Sequence, residues 1–197
     1  MNMVFRHDFE TIGNWVSEGA KVLDLGCGDG SLLAHLARNR KAKGYGVEID
    51  DGNILKCIRN SVNVIQSDLE SGLSGFESNS FDYVILSQTL QAMKNTESII
   101  REMLRVGREG IVTFPNFGYW PNRLQIMKGR MPVSSNLPYE WYDTPNIRLC
   151  TTRDFENFCS SRDVRILERI VMNNGRSVSF LPNLFGTLAV FRFTRGG

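Results

Sequence analysis

From residue 21 onward, short apolar runs alternate with amphipathic segments. Lys21 to Leu25 (KVLDL) reads as a buried strand. Leu32, Leu33, Leu36 and Ala37 then recur at helical spacing, with Asp29 placed to cap that helix. Gly44 to Ile49 reads as a second strand, followed by a helix from Gly52 to Arg59. Val62 to Gln66 and Phe81 to Leu86 are a third and fourth, Glu97 to Arg105 a helix, and Gly110 to Phe114 a fifth strand. Thr151 to Cys159 looks helical, with Thr151 or Thr152 as its cap, and Val164 to Val171 and Leu188 to Thr194 close the pattern as strands. Asn173 to Ser177 reads as a polar turn. The first 20 residues read as a leading helix with Phe9, Ile12, Trp15 and Val16 facing inward.

Strand–helix alternation of this kind predicts an α/β fold: a Rossmann-like, doubly wound, mostly parallel seven-stranded sheet with helices on both faces. Pro115 to Cys150 breaks the rhythm. It holds five of the six prolines and the aromatics Phe117, Tyr119, Trp120, Tyr139, Trp141 and Tyr142. We read it as an insertion packed over the sheet of a single domain, which a chain of 197 residues accommodates.

Composition narrows the function classes. A net charge of +2, with no basic run, gives no sign of a nucleic-acid partner. Cys27, Cys57, Cys150 and Cys159 form no C-x-x-C pair and have no histidine beside them, so reduced thiols and no metal site are expected. The absence of a signal-like start or an 18-residue apolar stretch leads us to expect a cytoplasmic chain without a membrane span.

The most informative stretch is Val22 to Gly30 (VLDLGCGDG), a strand running into a G-x-G-x-G loop and a helix. Glycines let backbone approach a ligand closely, and parallel sheets bind ligands at the carboxyl ends of their strands. The same loop also serves as an ordinary strand-to-helix turn. Glu48, 18 residues after Gly30, suits the ribose hydroxyls of an adenosine or a solvated strand end. Asp68, after the third strand, suits an adenine amino group or a turn cap. Asp24 and Asp29 make the loop acidic, with no lysine or arginine inside it. A pyrophosphate is disfavoured there, so NAD is the second choice of ligand. S-adenosylmethionine, with a sulfonium and an ammonium and no phosphate, fits the charge.

On these residues the chain resembles the class I S-adenosylmethionine-dependent methyltransferases. Val22 to Gly30, Gly44 to Asp50, Gln66 to Leu69 and Phe81 to Met93 (FDYVILSQTLQAM) are similar to their successive motifs. Together with Phe114 to Trp120 (FPNFGYW) and Leu137 to Thr151 (LPYEWYDTPNIRLCT), the match becomes a narrower resemblance to the MetW family of methionine biosynthesis proteins. That resemblance implies a role beside the homoserine O-acetyltransferase MetX, which makes the O-acyl homoserine precursor. It also implies S-adenosylmethionine or S-adenosylhomocysteine as cofactor. By position, Gly26, Cys27 and Gly28 would form the loop lining its methionine part, and Asp24 would hold the loop and the ammonium. Glu48 would take the ribose, Ile49 would pack on the adenine, and Asp68 and the Leu69 backbone would meet its edge. Ser87 and Gln88 would sit near the sulfonium.

A catalytic role is harder to read. Gln91 stands where many small-molecule enzymes of the superfamily carry a histidine, and glutamine is no base at neutral pH. His35 reads as a surface or packing residue, His7 falls in the leading helix, and Cys27 as a small packing residue. The insertion's aromatics suit a lid over a cation, packing against the sheet, or a protein interface. Two classes therefore stay open: a cofactor-binding accessory to homoserine acylation, and a methyltransferase acting on a small-molecule acceptor.

Overall fold

A computed structural model describes Arg6 and residues 8–197; His7 lies outside the described residues, as do the first five positions of the expected leading helix. The chain forms two compact units. The first takes the residues up to Ser87 together with Glu97–Ile111, the second Gln88–Thr96 and Val112–Gly197. A sheet of eight described strands has the order β3-β2-β1-β4-β5-β8-β6-β7, and β5 (Gly107–Pro115) contributes its two halves to the two units.

In the first unit, β1 (Lys21–Leu25), β2 (Lys43–Glu48), β3 (Asn63–Gln66) and β4 (Phe81–Ser87) pair in parallel. Each of β1 and β2 is followed by a helix, α2 (Ser31–Arg40) and α3 (Asp51–Arg59), and α4 (Thr96–Val106) leads into β5. The apolar runs explain the core. Val22, Leu23 and Leu25 of β1, Val84, Ile85 and Leu86 of β4, and Leu32, Leu33 and Leu36 of α2 are all buried. The leading helix is shorter than expected: α1 spans Asp8–Trp15, with Ile12, Trp15 and the following Val16 buried and Phe9 half-buried. Asp29 does not occupy the cap position of α2. Gly30 does, at φ 76°, while the Asp29 carboxylate accepts the Ser31 N–H at 3.0 Å.

The second unit pairs β6 (Val164–Asn173) with β8 (Leu188–Arg195) in antiparallel register, with an irregularity between Ile166 and Glu168. The eighth strand, absent from the seven expected, is β7, Arg176–Ser177. The segment Asn173 to Ser177 was expected to be a turn only. It turns at Asn174 and Gly175, both at positive φ, and its last two residues pair back onto β6. α6 (Thr152–Ser161) begins with a reciprocal capping box, Thr151 accepting from Asp154 N–H and Asp154 from Thr151 N–H. Its Phe155 sits among Phe114, Phe191 and Phe193, at ring-centroid separations of 5.4, 4.8 and 5.9 Å. The proline-rich stretch contains a helix that the pattern did not reveal, α5 (Trp120–Met127), with Pro121 in its first turn. A short α7 (Pro182–Phe185) precedes β8. No described helix is long and apolar enough to cross a membrane.

Candidate functional site

The register Leu25↔Val47 and Glu48↔Gln66 brings the carboxyl ends of β1, β2 and β3 side by side in the first unit. The glycine loop is bonded onto β2: the N–H groups of Gly26 and Cys27 both donate to the Val47 carbonyl, at 2.8 and 3.1 Å. Gly26, Gly28 and Gly30 all take positive φ, a conformation that side chains disfavour. A Cβ on Gly28 would meet nothing within 4 Å, so this backbone faces open space.

Glu48 is buried and holds the loop closed. Its Oε2 accepts the Gly28 N–H at 2.8 Å, and its Oε1 accepts those of Ile49 at 2.8 Å and Asp50 at 3.0 Å. A carboxylate offers about four acceptor positions, so these three bonds leave room for roughly one more donor. Ile49 beside it is 60% exposed, an apolar side chain held open at the strand end. Asp68 is exposed and caps the short 3₁₀ turn Leu69–Ser71, accepting the Glu70 N–H at 2.9 Å; Leu69 is half-buried.

Cys27 turns away from this open face. Its Sγ lies 3.7 Å from Cys57 Sγ, and Cys57 donates to the Gly28 carbonyl at 3.1 Å. Burial, with Asp24 nearby, pushes the Cys27 thiol far above its ordinary range, so it stays protonated. The thiol occupies the space that a side chain at position 46 would need: a Cβ on Gly46 would stand 2.3 Å from Cys27 Sγ. Gly46→Ala is therefore expected to destabilise the protein by roughly 1–3 kcal/mol through overpacking. The same change made in a Cys27→Ala background should cost measurably less. A urea-denaturation double-mutant cycle reads this coupling, and additive losses would refute it.

Asp24 is the second buried acid, 2% exposed, and its Oδ1 has no hydrogen-bond partner among the described residues. Burial raises its pKa to about 7; Arg6 draws it down, while Asp8 and Glu48 push it up. Arg6 and Asp8 are the residues that sequence reasoning missed. Asp8 is 1% exposed at the start of α1 and grips Arg6 through Nε at 3.0 Å and Nη2 at 2.5 Å. Arg6 Nη2 also donates to Ser87 Oγ at 2.5 Å, and Ser87 Oγ reaches Asp8 at 3.3 Å. Ser87 ends β4, so the structure joins the end of that strand to Arg6 and to Asp8 at the start of α1.

The next residue, Gln88, belongs to the second unit. It sits at φ 53°, a strained backbone for a residue with a side chain, and its N–H donates to the Thr113 carbonyl and hydroxyl at 2.9 and 3.0 Å. Gln91 holds this turn: its Nε2 donates to the Gln88 carbonyl at 2.6 Å, and its own carbonyl accepts from Ile147 and Arg148. Gln91 thus pins the insertion's Ile147 and Arg148 to the segment after β4. Trp141 and Tyr142 of the insertion are 72% and 71% exposed. Burial pushes the Cys150 and Cys159 thiols up to about 12, which suits packing rather than nucleophilic chemistry. Desolvation lowers the pKa of His35 on α2, which packs near the Phe9 ring of α1. No group of three or more metal-binding side chains occurs among the described residues.

This α/β fold is shared with solved S-adenosylmethionine-dependent methyltransferases. A methyltransferase of that class from Archaeoglobus fulgidus matches 95% of this chain and 91% of its own, at TM-score 0.65 and 17% identity. The [4+2]-cyclase SpnF matches 95% of this chain and 80% of its own, at TM-score 0.69 and 17% identity. The chain belongs to the family described as methionine biosynthesis protein MetW, which it matches over residues 6–193. The bifunctional methionine biosynthesis protein MetXA/MetW of Rhodopirellula baltica is 37% identical over 202 residues, covering 95% of this chain and 32% of the relative. The chain therefore spans about a third of that relative's length.

Proposed function

We propose that this chain binds S-adenosylmethionine or S-adenosylhomocysteine at the glycine loop and acts beside a homoserine O-acetyltransferase of the MetX kind in making O-acyl homoserine. The partner reading rests on one observation: a relative unites a region similar to nearly all of this chain with a MetXA region in one polypeptide. Fused chains place two activities at a high mutual concentration, which is useful when they work together.

The cofactor reading has its own physical support. Asp24 Oδ1 is a buried acceptor with no donor among the described residues, a costly state that an incoming ammonium relieves. Gly28 presents bare backbone to open space, and Ile49 offers an exposed apolar face. Gly26, Cys27 and Gly28 would carry the methionine part through their backbone, Glu48 one ribose hydroxyl, Ile49 and Leu69 the adenine, and Asp68 its amino edge. Bound S-adenosylmethionine would supply an activated methyl group. Gln91, where many related enzymes carry a histidine, holds a turn, and the Cys27 thiol is buried away from the open loop face. A methyltransferase fold also does not compel methyl transfer, as a neighbouring cyclase illustrates.

The test has two arms. Calorimetry with S-adenosylmethionine, S-adenosylhomocysteine and NAD should give saturable binding of the first two only. Addition of the chain to purified homoserine O-acetyltransferase should form a complex and raise its acylation rate. Absence of nucleoside binding sinks the cofactor reading, and an unchanged acylation rate with no complex sinks the accessory reading. A methylated product from a metabolite mixture would instead establish the second class, a small-molecule methyltransferase, which the open glycine loop supports.

A further inference from the structure

Helix α5 is turned against its own composition. Trp120, Leu124 and Met127 recur at i, i+4 and i+7 and so share one face of the helix. That face lies in solvent: all three are exposed, Met127 by 82%, while the buried residue of the helix is a polar one, Asn122. A surface helix of a finished domain does the reverse. Just beyond the helix Met131 is exposed too, and with Pro132, Leu137, Tyr139 and Trp141 it lines a shallow apolar concavity. Helix and concavity are one piece, because the Gln125 side chain of α5 donates to the Val133 carbonyl and accepts the Val133 N–H, both at 3.1 Å. The segment is a built frame. Ser134 and Leu137 pair in both directions at 2.9 and 3.0 Å, the Phe117 N–H donates to the Cys150 carbonyl at 3.0 Å, and Arg148 Nη2 donates to the Lys94 carbonyl at 2.5 Å. An ordered frame that keeps tryptophan, methionine and tyrosine in water has the composition of an interface core. Its order also lowers what association costs.

Two observations commit the occupant. The bifunctional MetXA/MetW relative is similar to 95% of this chain, which leaves too little unmatched to omit the insertion, and it carries that region in one polypeptide with a MetXA region. The glycine loop and strand-end motifs are those of methyltransferases at large, whereas Phe114 to Trp120 and Leu137 to Thr151 narrow the resemblance to MetW. A task particular to the family belongs on the segment particular to it. We infer that the α5 stripe of Trp120, Leu124 and Met127, with Trp141 and the concavity it lines, is the surface that docks homoserine O-acetyltransferase. The inference rests on the accessory reading above and deepens it: the partner contact falls on the second unit, on residues that carry no part of the proposed nucleoside contacts.

The test measures the complex of the intact chain with purified homoserine O-acetyltransferase, by titration calorimetry and sedimentation velocity. Met127→Glu and Trp141→Ser, as separate variants, should each weaken the complex by roughly tenfold or more, the size expected when a central interface residue is lost. Both side chains are exposed in the free chain, so urea unfolding of each variant should match wild type. Ile58→Glu, at an exposed apolar position of α3 in the first unit, should leave the complex within about twofold. A second measurement reads the contact without breaking it: a photoactivated benzophenone side chain at position 127 should cross-link to the acyltransferase, and one at position 58 should not. A wild-type complex that both variants keep, with no cross-link from position 127, overturns this inference and leaves the accessory reading standing. A complex lost only in Ile58→Glu, or cross-linked only from position 58, moves the partner to α3 and overturns it as well. Self-association of the wild-type chain that the two variants abolish, with acyltransferase binding intact, makes the occupant a second copy and overturns it. A wild-type chain that forms no complex sinks the accessory reading itself, and this inference with it.

Discussion

Glu48→Ala is expected to lower stability by about 2–4 kcal/mol and to weaken nucleoside binding by roughly 100-fold or more. The reason lies in what the carboxylate holds. Three backbone N–H groups, from Gly28, Ile49 and Asp50, point at its two oxygens. Alanine leaves all of them without that acceptor, and each buried unpaired donor costs about 1–3 kcal/mol. Water at the open loop face recovers part of the loss, which sets the lower end of the range. Glu48→Gln sharpens the test. Its amide oxygen replaces one acceptor, but its NH2 confronts a backbone N–H, so binding should fall nearly as far as in the alanine variant. Urea unfolding and calorimetry read the two effects separately. Unchanged stability with lost binding would mean that the carboxylate serves the ligand alone and that the loop keeps its shape without it.

The two variants also show why the sequence revealed the place of Glu48 and not its work. An acid at the end of a second parallel strand is visible as spacing, but one of the backbone donors it meets, the Gly28 N–H, comes from a loop 20 residues earlier and depends on register. The same divide runs through the fold. KVLDL, GYGVEI and FDYVIL were legible as strands because buried parallel strands need unbroken apolar runs. β7 was not, because two residues carry no period and its pairing depends on the turn before it. α5 was hidden because proline suits the first helical turn as well as it suits a loop. Cys27 was read as packing; its partner Gly46 became visible only when β1 and β2 were in register. Arg6 and Asp8 look like any solvated charges ahead of an amphipathic helix. Only the folded chain sets them against Ser87, 81 residues away from Arg6.

Asp24 should give the steepest pH signature of the molecule. Its carboxyl is buried, and its pKa rises from 3.8 to about 7, chiefly through loss of solvent. Below about 3.8 the group is protonated in folded and unfolded chains alike and has no effect. As pH rises toward 7, the unfolded chain releases this proton and the folded chain keeps it. The folded state then binds more protons than the unfolded one, so stability declines with pH and the loss levels off above about 7. The total is on the order of a few kcal/mol. Asp24→Asn removes this slope. In urea unfolding at pH 5, 6, 7 and 8, the variant should gain on wild type as pH rises, by about 2–3 kcal/mol over the series. A parallel pair of curves would show that Asp24 is not the responsible group. Ligand binding should run the other way. An ammonium at Oδ1 favours the ionised carboxylate, so wild-type affinity for S-adenosylhomocysteine should climb as pH passes through about 7. The asparagine variant should bind weakly with no such rise. Stability gained where binding is lost is the pattern expected of a buried acid kept for a ligand rather than for the fold.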